Sequence, residues 1–129
     1  MTDEQARELG ERWADMVGIA GVTWRVGMLN MGGRRVIAYA RDRGVKWAVG
    51  DNVWCWAEVE IPDFRDPATL GCLLAQVMEK WNAAEINLSN YKSCAYVEIK
   101  ESNLGKVIEV EFRGDSLPCA LIAALEAAP

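Results

Sequence analysis

Apolar residues recur first at helical spacing, then at alternate positions, then at helical spacing again, and these changes of period lay out the elements of the chain. Over residues 2–17, Ala6, Leu9, Trp13, Met16 and Val17 fall on one stripe behind a candidate N-cap, Thr2, and an acidic first turn. That pattern predicts a helix, with Gly18 and Gly21 as its stop. From Val22 the period becomes two, with Val22, Trp24, Val26 and Met28 alternating with Thr23, Arg25 and Gly27. Asn30-Met31-Gly32-Gly33 supplies a hairpin turn, and the return strand over 34–41 sets Val36, Ala38 and Ala40 against Ile37, Tyr39 and Arg41. The loop over 42–52 has room for a short strand at 45–49. A third strand carries Val53, Cys55, Ala57, Val59 and Ile61 on one face, with Trp54, Trp56, Glu58 and Glu60 on the other. Pro62 ends it.

Asp66-Pro67 reads as an N-cap followed by proline at the first helical position, and the strongest helical pattern of the chain runs from Leu70 through Leu73, Leu74, Val77 and Met78 to Trp81. After a polar connection, Ser93–Lys100 and Lys106–Arg113 form a second hairpin, and a largely apolar helix over Leu117–Ala128 closes the chain. The expected order is α-β-β-β-α-β-β-α. Short turns between neighbouring strands imply antiparallel pairing, so the expectation is an α+β fold with three helices and one five-stranded, mainly antiparallel sheet, in a single domain over 1–129.

With 129 residues, 51% of them apolar and 26% charged, the chain has enough apolar side chains for one core and too many for disorder. It has no histidine, which excludes Ser-His-Asp and Cys-His catalysis and histidine-ligated metals. The alternate glutamates Glu58/Glu60 and Glu109/Glu111 have the spacing of a solvated strand face, and nothing in the pattern separates their acidities as acid–base work requires. Ser93 and Ser116 have no candidate base except lysine. The four cysteines, Cys55, Cys72, Cys94 and Cys119, form no CxxC pair and sit in apolar stretches, as small hydrophobes do. Neither enzymatic activity nor a cofactor nor a metal is therefore expected. The opening Met1-Thr2-Asp3-Glu4-Gln5 is acidic where a signal peptide needs basic residues, and no apolar run could span a bilayer. A cytoplasmic protein without a membrane partner is the expectation.

Charge is unevenly spread. The net −5 conceals a segment, residues 25–46, in which Arg25, Arg34, Arg35, Arg41, Arg43 and Lys46 face only Asp42. An acidic protein with one basic segment is a poor nucleic-acid binder, yet that segment suits one acidic patch of a protein or a single phosphate. Two readings of a site follow. In the first, Trp54 and Trp56 form an aromatic shelf that anchors a partner protein, while Arg34, Arg35, Arg41 and Arg43 steer it. In the second, backbone N–H groups of the Gly32-Gly33 turn, the forks of Arg34 and Arg35 and a stacked Trp47 hold a nucleotide or small phosphorylated ligand. The turn is not a P-loop, because GxxxxGK[ST] is absent and it joins two strands.

Asp66-Pro67-Ala68-Thr69-Leu70-Gly71-Cys72-Leu73-Leu74-Ala75, continuing to Trp81, resembles a helix segment of small uncharacterised bacteriophage proteins. Gly114-Asp115-Ser116-Leu117-Pro118-Cys119-Ala120-Leu121-Ile122-Ala123-Ala124-Leu125-Glu126-Ala127 resembles their closing helix. The chain is similar in particular to the small phage α-β-α (ABA) sandwich domain family, in which an opening helix, strands, a central helix and an alanine-rich last helix follow in this order. The resemblance implies a phage origin and a bacterial host cytoplasm, and it transfers no catalytic residue. The resulting expectation is a phage-encoded accessory protein that inhibits a host antiviral defence component by protein–protein contact. A ligand-sequestering protein is the second reading, and a homodimeric structural phage component is the third.

Overall fold

The computed structural model describes the chain apart from residues 18–21, 41–43, 51–52, 58–60, 84, 92–93, 104–105 and 129, and apart from the side chains of 49–50, 53–57, 91, 101–103 and 106–108. Helix α1 spans Asp3–Ala14, strands β1, β2 and β3 span Val36–Ala40, Gly44–Gly50 and Val53–Ala57, and α2 spans Pro67–Trp81. Strands β4, β5 and β6 follow over Glu85–Tyr91, Cys94–Asn103 and Lys106–Gly114, and α3 spans Leu117–Ala127. The α+β class and the three helices are as expected. The single five-stranded sheet is not: the described residues form two three-stranded antiparallel sheets, ordered β1-β2-β3 and β4-β5-β6. By its internal contacts the chain divides into two units, Met1–Cys72 and Leu73–Pro129.

In the first unit the capping box of α1 forms as its sequence directs, the Gln5 N–H donating to Thr2 Oγ1 and the Thr2 N–H to Gln5 Oε1. The apolar stripe of α1 buries Ala6, Leu9 and Trp13, and Gly10 lies where a Cβ would sit 2.7 Å from the Pro62 carbonyl oxygen and against the Ile61 side chain. The expected strand over 22–28 does not form. Val22, Trp24 and Met28 are buried as alternation requires, but Gly27 adopts φ +98° and the Met28 N–H closes a turn onto the Arg25 carbonyl, which exposes Val26. The hairpin survives only as a bridge between Leu29 and Arg35. The short strand suggested at 45–49 is instead a full central strand, β2. The core of this unit is aromatic: Trp24 meets Trp13 edge to face at 5.2 Å and Trp47 at 5.0 Å, and Phe64 meets Trp13 at 6.2 Å.

In the second unit β4 lies where a polar connection is expected. Ile86 and Leu88 alternate with Glu85, Asn87 and Ser89 there, but asparagine and serine are poor strand formers and hide the period. Ala95, Val97 and Ile99 of β5 make the buried row, paired with Gly114, Phe112 and Val110 of β6. Helix α3 packs on β5 and β6. The Trp81 indole N–H donates to the Ala124 carbonyl at 2.8 Å and its ring leans on Phe112. Gly114 permits the close approach of α3, since a Cβ there would lie 2.7 Å from the Ala120 nitrogen and 2.9 Å from Cys119 Cβ. Gly114→Ala is expected to lower stability by about 2 kcal/mol, read by denaturant titration, because α3 must move away from the sheet. No helix among the described residues is long and apolar enough to cross a membrane.

Candidate functional site

The segment around Gly32 and Gly33, read from the sequence as an anion-binding turn, spends two of its backbone donors on itself. The Gly33 N–H donates to the Asn30 carbonyl and the Arg34 N–H to Asn30 Oδ1 at 2.9 Å. Asn30, wholly buried, is held from its other side by a bridge to Pro62. Gly33 takes φ +83°, the left-handed conformation that the sequence assigned to this turn.

Arg35 belongs to a structural hub. Its Nη1 and Nη2 donate to the two oxygens of Asp66 at 2.9 and 3.0 Å, and Nη1 also donates to the Gly27 carbonyl at 2.7 Å. Asp66, the residue before α2, further accepts from the Thr69 N–H and hydroxyl, and the buried Thr69 oxygen accepts from the Leu29 N–H at 2.8 Å. The Arg35 fork holds the Asp66 carboxyl well below its usual range, and the Thr69 bonds act with it against the opposing effect of burial. Arg35 is correspondingly raised by its bonds to Asp66. The bidentate pair and the carbonyl contact hold the Arg35 guanidinium in place in the scaffold, with its side chain 43% exposed.

Trp47, the expected base-stacking residue, is 1% exposed within the aromatic core. It pairs with Val36 and Cys55 across the sheet and presents no face to a ligand. Gly33, Arg35 and Trp47 are thus engaged within the fold, while Gly32 is exposed on the turn. Trp54 and Trp56 pair in register with Ala48 and Lys46 on β2, at positions that alternate with buried Val45 and Trp47, and their side chains lie outside the described residues. Arg41 and Arg43 lie outside them as well. Arg34 is exposed.

One surface feature was in the sequence pattern but not read as a site. On the edge strand β1, Ile37 and Tyr39 are 43% and 45% exposed, while Val36 is buried. Val26, at 64%, occupies the adjoining turn, whose Gly27 N–H donates to the Val36 carbonyl. An outward row of Ile37 and Tyr39 where a solvated strand carries charge was the available signal. This apolar row lies within the basic segment, between Arg35 and Arg41 in sequence. Among the thiols, Cys72, Cys94 and Cys119 are free and half-buried, and burial pushes the Cys72 thiol up, away from nucleophilic use. Comparison with protein-family models, with curated proteins and with solved structures gave no match.

Proposed function

We propose that this chain is a binding protein that acts by protein–protein contact, with the outward row of β1 as its docking surface. The observation that carries the reading is the exposed Ile37/Tyr39 pair, set beside Val26 in the one basic segment of an acidic chain. Apolar side chains in a stretch of sequence rich in arginine suit an acidic surface on a partner: the ring and the isoleucine supply desolvated contact, and the charges speed and orient encounter. Trp54 and Trp56 remain candidate anchors on the same sheet. The partner class follows from the resemblance of residues 66–75 and 114–127 to phage proteins, which supports a phage accessory protein directed at a host protein of an antiviral defence system.

The test is capture from bacterial host lysate by wild type, by Ile37→Asp/Tyr39→Asp and by Trp54→Ala/Trp56→Ala, each first checked for its thermal transition. Because Ile37 and Tyr39 are already exposed, the aspartate variant is expected to fold. It is expected to lose at least tenfold of a partner that wild type retains, and retention by wild type should weaken with rising salt. Undiminished capture by the folded aspartate variant removes β1 as the docking surface.

A further inference from the structure

Among the described residues β1 and β4 are edge strands of their sheets, and the two edges differ in how they are protected against pairing with another strand. Strand β1 is five residues long, with a register irregularity between Val36 and Ala38 and arginines before and after it in sequence. Short length, a bulge and positive charge are the devices that blunt an edge. Strand β4 has none of them. Its seven residues, Glu-Ile-Asn-Leu-Ser-Asn-Tyr, contain no proline, glycine, lysine or arginine, and they pair with β5 in unbroken register from Glu85↔Lys100 to Tyr91↔Cys94. Glu85, Asn87, Leu88, Ser89 and Asn90 are all exposed. Leu88 is 40% exposed although its cross-strand neighbour Val97 is fully buried, so the apolar row of the sheet runs open at this edge.

We propose that β4 is the pairing edge of a symmetric dimer, in which the β4 strands of two copies of this chain run antiparallel and join their sheets into one of six strands. The inference concerns the second unit and is independent of the β1 surface. What selects a second copy is self-complementarity. With Leu88 on the twofold axis, Leu88 of one copy faces Leu88 of the other, Asn87 faces Ser89, Ile86 faces Asn90 and Glu85 faces Tyr91. The one charged residue of the strand, Glu85, is thereby separated from its counterpart by six residues of extended chain, about 20 Å. Directly opposed residues share a face, so the Leu88 pair continues the Val97 row, while the Asn87/Ser89 pairs continue the polar outer face. The opposite edge of the same sheet fails this test. Antiparallel self-pairing of β6 about Val110 would set Glu109 against Glu111 twice, and self-pairing of β1 would bring two arginine-rich segments together.

A seven-residue ladder is small beside a standard protein interface, so association is expected to be concentration-dependent. The test is sedimentation velocity over a dilution series up to millimolar protein. Wild type should pass from monomer to dimer, and at the dimer end the β4 amides should gain protection from hydrogen exchange. Leu88→Lys places a charge on the open apolar row and is expected to weaken association at least tenfold; Asn90→Lys, on the same face, reads the same contact should Leu88→Lys fail to fold. Glu85→Gln should leave association within twofold, because the two Glu85 side chains never meet. A wild type that stays monomeric throughout, a dimer indifferent to both lysine variants, or one abolished by Glu85→Gln overturns the proposal.

Discussion

Trp24→Ala is expected to destabilise the first unit by about 3–5 kcal/mol, the largest effect of any single truncation there. Trp24 has its ring between two others, edge to face with Trp13 at 5.2 Å and with Trp47 at 5.0 Å, and all three are buried. Removing the middle ring takes away the area it buries and the favourable quadrupole contacts on both sides, and it leaves a cavity walled by two rigid indoles that cannot collapse into it. Substitution by phenylalanine separates volume from polarity. Among the described residues the Trp24 indole N–H has no hydrogen-bond partner, so Trp24→Phe forfeits no bond there and keeps an aromatic edge against each neighbour. Its loss should be clearly smaller than that of alanine. Urea titration followed by far-ultraviolet circular dichroism reads both variants, and the ordering alanine worse than phenylalanine is the discriminating result. A Trp24→Ala protein within about 1 kcal/mol of wild type would mean that the three indoles do not form a common core.

The same three residues illustrate what the sequence could and could not convey. Helices were legible wherever a cap and a stripe coincided: Thr2 before Ala6, Leu9 and Trp13, and Asp66-Pro67 before the α2 pattern, agree with the observed termini within a few residues. Hairpin β5–β6 was legible because alternation there is strict. Residues 22–28 misled because alternate burial does not require a ladder. Trp24 and Met28 are pulled inward by the aromatic core, while the positive φ of Gly27 turns the backbone out of any strand. Strand β4 was missed for the opposite reason, since its ladder exists with little apolar signal to announce it. For the site, residue type and spacing identified the Gly33 conformation but not the allegiance of the guanidinium beside it. A bidentate pair between residues 31 apart depends on a long-range approach that no local pattern encodes. Trp47 shows the same gap, because a tryptophan next to lysine and small residues reads equally as surface or as core until the strands on either side of it are in place.

Acid is expected to act on the first unit chiefly through that long-range pair. The Asp66 carboxyl titrates at about 2 in the folded protein, held down by the Arg35 fork and secondarily by the Thr69 hydroxyl and N–H. In the unfolded chain it returns to nearly 4. A carboxyl whose folded value is depressed contributes stability that is complete above the unfolded value and is lost as pH falls through the folded one. The Asp66 contribution is therefore full at neutral pH, where it amounts to about 2 kcal/mol, and is lost between about pH 4 and pH 2. The Asp66 side chain is 13% exposed but its Arg35 partner is 43% exposed, so solvent screens part of the attraction and ~2 kcal/mol is its upper bound. Asp63, lowered mainly by its bonds to Arg65, works in the same direction from a neighbouring position. Asp66→Asn keeps size and part of the cap but removes the charge. It should be less stable than wild type by up to about 2 kcal/mol at pH 7, with the difference shrinking as pH falls until the two proteins meet near pH 2. Arg35→Lys, which cannot reproduce the two-pronged pair or the accompanying bond to the Gly27 carbonyl, should show an intermediate loss with the same pH dependence. Thermal or urea unfolding of the three proteins at intervals from pH 7 to pH 2 gives the comparison. Parallel curves, with a constant offset between wild type and Asp66→Asn down to pH 2, would show that the carboxylate charge does not hold the 27–35 hairpin against the start of α2, and that the cap alone accounts for what Asp66 contributes.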